Sequence, residues 1–136
     1  MLRRGDRATV SGPTGKVEIS EGAIASLVRD AVLQCYGVVG MAPSSLRSSL
    51  ARRLGQDDPR RGIEIEVEGE HIEITLSVIL EYGTRISEVA QNVQRTVKYA
   101  VERALGMTVA AVHVHVQGLH FSDEEASRQS SVVSRQ

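Results

Sequence analysis

The sequence predicts an α+β fold: a two-layer domain in which a small mixed sheet of three to four strands carries two main helices on one face. Three features lead to that expectation. Apolar and polar residues alternate from Ile63 to Leu80, the period of half-buried strands. One stretch before this run and one after it place apolar residues at helical spacing on a single stripe. A final segment from Thr108 to Gln117 alternates again. A single-faced helix on either side of a hairpin buries both stripes when the two helices share one sheet face.

Residues 1–14 are polar, hold Gly12 and Pro13 and show no periodicity, so they read as a flexible N-terminal arm. The domain is expected over 15–121 and begins with a short strand, where Val17 and Ile19 share a face and Glu18 opposes them. Ser20 is placed to cap a helix, with Glu21 favourably near its positive end. Ile24, Leu27, Val28, Ala31, Val32 and Cys35 form its stripe, and Gly37 is placed to end it in the left-handed conformation. Val38 and Val39 suggest a second short strand around 38–42.

Residues 43–61 read as a mobile, arginine-rich segment within the domain. Leu46, Leu50 and Leu54 suggest a short amphipathic helix in it, and Arg47, Arg52, Arg53, Arg60 and Arg61 outnumber Asp57 and Asp58.

The hairpin is more sharply specified. With Gly69-Glu70 as a type II′ turn, Val67 pairs with Ile72, Ile65 with Ile74 and Ile63 with Leu76, all six on one face. That register sets Glu66 against Glu73, a mildly unfavourable like-charge pair. Gly83 ends the hairpin and a helix is expected over 86–105, with Ile86, Val89, Ala90, Val93, Val97, Ala100, Val101 and Ala104 inward and Gly106 as its stop. In the last strand Ala110, Val112, Val114 and Val116 fall on one side and His113, His115 and Gln117 on the other. Residues 122–136, rich in serine and charge, read as a disordered polar tail.

Composition narrows the function classes. A chain of 136 residues is long enough for one domain with a real core. The lone Cys35 fits a reducing, cytoplasmic setting and no internal disulfide. No apolar run approaches the roughly 20 residues of a membrane-spanning helix, so direct membrane insertion is not expected. A net charge of -1 and only four aromatic residues (Tyr 3, Phe 1, Trp 0) argue against a nucleic-acid binder as a whole.

Few residues of the chain form a pattern that carries chemistry. The glutamates Glu64, Glu66, Glu68, Glu70, Glu73 and Glu81 could bind a cation or do acid-base work, but a flat row is the ordinary solvated face of an antiparallel sheet. His113 and His115 share a face and are weak metal candidates, for which His71 or a glutamate of a neighbouring strand could supply a third ligand, but two imidazoles do not make a site and exposed strand histidines are the ordinary reading. Gly37-Val38-Val39-Gly40 has the spacing of a G-x-x-G clamp, yet valines fill its centre where an RNA-binding loop would carry cations. No nucleophile elbow is present. The arginine segment can be a solvated loop, or a basic surface for phosphates, lipid headgroups or the molecule's own glutamate face. The last option predicts self-association through Glu64, Glu66 and Glu73 against Arg47, Arg52, Arg53, Arg60 and Arg61; the alternative function is a nucleic-acid-binding module that uses residues 47–61.

Several stretches together resemble one family. These are Gly15-Lys16-Val17-Glu18-Ile19-Ser20, Gly37-Val38-Val39-Gly40-Met41 and Val78-Ile79-Leu80-Glu81-Tyr82-Gly83, then Ile86-Ser87-Glu88-Val89-Ala90-Gln91-Asn92-Val93-Gln94 and Val112-His113-Val114-His115-Val116-Gln117-Gly118-Leu119. In this order and spacing they resemble the alkaline shock protein (YloU-like) family. The resemblance implies an α+β domain with no catalytic activity, no cofactor and no catalytic residues. It also implies a cytoplasmic protein of cell-envelope stress homeostasis, a homo-oligomer often held at the membrane by a separate anchor protein. The arginine-rich segment departs from the family's usual composition.

Overall fold

The computed structural model describes residues 7–43 and 60–122. Six strands and two helices follow in the order β1 (Arg7–Gly12), β2 (Gly15–Ser20), α1 (Glu21–Leu33), β3 (Val38–Met41), β4 (Ile63–Glu68), β5 (His71–Glu81), α2 (Ile86–Leu105) and β6 (Thr108–His120). β1 and β2 form a two-stranded hairpin, and the other four strands form a mixed sheet around β5.

β5 is the spine of that sheet. Along one edge it pairs antiparallel first with β4, over His71 to Leu76, and then with β3, over Val78 to Leu80. Along the other edge it pairs with β6 in parallel over its whole length. A parallel neighbour requires a crossover, and α2 supplies it. Ile72, Ile74, Leu76, Val78 and Leu80 of β5 are all fully buried, as are Ile24, Val28, Val32, Val93, Val97 and Val101 of the helices. Both helices therefore cover one face of the sheet, which makes the two-layer α+β architecture.

The hairpin register is the one that its binary pattern dictates: Ile63 lies opposite Leu76, Ile65 opposite Ile74, Val67 opposite Ile72 and Glu66 opposite Glu73. Gly69 takes φ 62°, as the first turn position of a type II′ turn requires. α2 spans Ile86–Leu105 and stops at Gly106, which is left-handed at φ 68°. Its buried residues reduce to Val89, Val93, Val97 and Val101, a narrower row than the stripe in the sequence, since Ile86 and Ala104 at its two ends are exposed.

Three features differ from the sequence reading. Residues 7–12, assigned there to a flexible arm, pair with β2 through a Gly12-Pro13-Thr14-Gly15 turn and bury Ala8 completely. Ala8 and Val10 do alternate with Arg7, Thr9 and Ser11, but two small apolar positions make too short a pattern to stand out from a polar arm. α1 ends at Leu33, with Gln34 as its cap, one turn before the positive-φ Gly37. In β6 the register shifts between Ile72 and Glu73, which leaves Ala110 as an unpaired bulge residue. Val109 is consequently buried and Ala110 exposed. The expected 46–54 helix lies outside the described residues.

Ser20 caps α1 by accepting a hydrogen bond from the Ala23 N–H at 3.2 Å. Ser20→Ala is expected to destabilise the domain by about 1 kcal/mol, read as a lower urea midpoint with an unchanged slope.

Candidate functional site

The sheet face turned away from the helices gathers most of the chain's ionisable strand residues. β4 contributes Glu64, Glu66 and Glu68, β5 contributes His71, Glu73 and Glu81, and β6 contributes His113, His115 and His120. All four histidines of the chain therefore stand on one face, beside five glutamates and no lysine or arginine from these three strands. The cause is the period of two, which sends every second residue of adjacent strands to the same side.

Two pairs tie the strands across this face. His113 Nε2 lies 2.7 Å from Glu73 Oε1, with each side chain half exposed, and His120 Nδ1 lies 3.0 Å from Glu81 Oε2. In each the imidazole N–H donates to the carboxylate. At such exposure these contacts orient side chains more than they stabilise the fold. Ser77, opposite His115, is the one buried polar residue among those described.

The expected site residues are distributed unevenly. Glu66 and Glu73 are exposed, and Glu64 is half-buried beside Thr75. Arg60 and Arg61 sit in the turn that leads into β4, next to the glutamate row. Arg47, Arg52 and Arg53 lie outside the described residues. His113 and His115 do share the face, but His113 is engaged by Glu73, and no group of three or more His, Cys, Asp or Glu among the described residues could hold a metal ion. Cys35 is buried, its thiol donating to the Ala31 carbonyl at 3.4 Å. The G-x-x-G stretch enters β3, with a bulge at Val39.

Sequence reasoning missed His120. Strict alternation from His113 places it on the core side, but a second bulge at Gln117 returns it to the open face. The adjacent Gly118 was the available signal. It also missed an open groove of about 660 Å³ on the helical side, lined by Tyr36, 81% exposed, with Thr84 and Arg85 just before α2 and Asn92 and Arg95 in its first half. Arg85 there bonds Glu88 at 2.8 Å. The groove has no counterpart in any local pattern.

No helix among the described residues is long and apolar enough to cross a membrane. Residues 9–121 match the model of the alkaline shock protein family, described as having a cell envelope-related function. The chain is 40% identical over 110 residues to "Uncharacterized protein YloU" of Bacillus subtilis (strain 168), which covers 80% of this chain and 92% of that protein. It is 32% identical over 111 residues to "Uncharacterized protein Spy1614" of Streptococcus pyogenes serotype M6, which covers 81% of this chain and 92% of that one. A solved MamM CTD structure aligns with a TM-score of 0.44 at 14% identity, over 71% of this chain and 95% of that one, a likeness too distant to bear on function.

Proposed function

The chain belongs to the alkaline shock protein family, whose function is related to the cell envelope, and from that premise we propose that it is a non-enzymatic interaction and scaffold protein. It works in the cytoplasm at the envelope, by self-association and by binding a membrane-anchored partner protein. One observation supports this reading above the others: the open sheet face presents five glutamates and four histidines with no compensating cation on its strands. Catalysis needs groups that converge in a water-excluded cleft, whereas these side chains stand in rows on a solvated surface. A carboxylate face repels phosphate backbones and suits a cationic protein surface. The arginine-rich 47–61 segment of a second copy offers such a surface, which makes the contact heterologous.

Light scattering across concentration at low and high salt tests the proposal. Mass is expected to grow with concentration at low salt and to fall as salt is added. The triple variant Glu64→Gln, Glu66→Gln and Glu73→Gln should remove the salt-dependent growth. Assembly indifferent to both salt and these substitutions would exclude the acidic face as its cause.

A further inference from the structure

Among the described residues no strand pairs with the outer edge of β6, and the register shows which backbone groups that edge presents. Successive residues of a strand point their N–H and C=O groups alternately to its two sides, and β6 pairs only with β5 among the described residues. Two side chains of α2 mark the outward positions. Glu102 Oε2 accepts the Val109 N–H at 3.0 Å, and Gln94 Nε2 donates to the Val112 carbonyl at 2.9 Å. With Ala110 as the bulge residue, the outward series continues through Val114 and Val116. The His120 carbonyl accepts the Tyr82 N–H at 2.8 Å on the inward side, as the second bulge requires. Among the described residues nothing pairs with the N–H or C=O groups of Val114 and Val116.

The side chains of this strand lack the usual protection against strand addition. Thr108–His120 contains no Asp, Glu, Lys, Arg or Pro, the residues that commonly guard an edge. The opposite margin of the sheet is guarded, because β4 carries Glu64, Glu66 and Glu68, and a copy meeting it there would set carboxylate against carboxylate. The two margins thus differ in whether they tolerate a copy of themselves.

We infer that β6 pairs antiparallel with β6 of a second copy, about a two-fold axis at His115. In that register Val114 lies opposite Val116 of the second copy and exchanges both N–H···O bonds with it, and the symmetric pair does the same. The four bonds use the four free groups of each Val114–Val116 stretch and leave the Gln94 bond to Val112 intact. The sheet becomes continuous across the axis, with both helical layers on one side and both acidic faces on the other. Closure at two copies follows from the glutamates on the outer margins. This contact is independent of the acidic-face association: it is built on backbone hydrogen bonds between uncharged strands, so salt does not dissolve it, and it presents two acidic faces to one partner.

Sedimentation equilibrium of the full chain at high salt, with amide hydrogen exchange at dilute and concentrated protein, tests it. The expected result is a dimer whose Val114 and Val116 amides exchange about tenfold or more slowly when concentrated, while the His113 and His115 amides, turned toward β5, are protected throughout. His115→Lys sets two cations opposite each other at the axis on an exposed position, and is expected to leave a folded monomer. Val114→Pro removes a donor that the fold does not use, and should do the same. A high-salt monomer, Val114 and Val116 amides that exchange equally at both concentrations, or a His115→Lys chain that dimerises like the parent would each overturn the inference.

Discussion

Gly62→Ala is expected to cost about 3 kcal/mol or more, a large share of the 5–15 kcal/mol that holds a typical domain together. Gly62 takes φ 73°, where a side chain costs about 1–2 kcal/mol. The larger part comes from its surroundings. A Cβ there would strike the carbonyl oxygen of Ala42 and lie 2.9 Å from that of Ser77, both backbone atoms that cannot swing aside. These atoms belong to the handover between β4 and β3 along β5. Ser77 N–H donates to the Gly62 carbonyl at 2.8 Å, and Ala42 N–H donates to the Ser77 carbonyl at 2.9 Å. Relieving the clash means breaking one of those bonds. Gly69 is the control, because it has φ 62° but no atom within 4 Å of a would-be Cβ. Gly69→Ala should cost only about 1 kcal/mol. Urea unfolding of the two variants separates the backbone term from the packing term; equal losses would mean that close approach at Gly62 is unimportant.

What was legible in the sequence is what a period and a turn can specify. The β4–β5 register, the II′ turn and both ends of α2 follow from local residues alone, because Gly69, Gly106 and the alternating isoleucines agree with one another. The bulges of β6 were not legible: Ala110 and Gln117 each insert one residue, and a shift of one flips every side chain that follows. That is why the glutamate row was found and the full set of histidines was not. The Glu73–His113 contact depends on a parallel register set by the α2 crossover, which no local pattern encodes. Val17 shares a face with Ile19 as expected, yet is 60% exposed, since the β1–β2 turn carries it past the core.

Leu76→Ala is expected to lower stability by about 3–4 kcal/mol, within the range for buried leucine truncations. Its side chain is fully buried, with Ile63 beside it on β4 and Val114 beside it on β6. How much the loss exceeds the transfer term depends on whether the surroundings can collapse into the space. Here they are constrained on every in-plane side. β5 is hydrogen-bonded along both edges, and its own neighbours on the core face, Ile74 and Val78, are fully buried as well. Only α1 and α2 could move inward, and Gln94 and Glu102 pin α2 to the backbone of β6. Leu119, 38% exposed near the end of β6, gives the comparison: Leu119→Ala should cost less than about 1 kcal/mol. Chemical denaturation of both variants measures the difference. A Leu76→Ala loss as small as that of Leu119→Ala would mean that the helical layer settles onto the sheet freely, and that the rigid spine beneath the acidic face is not β5.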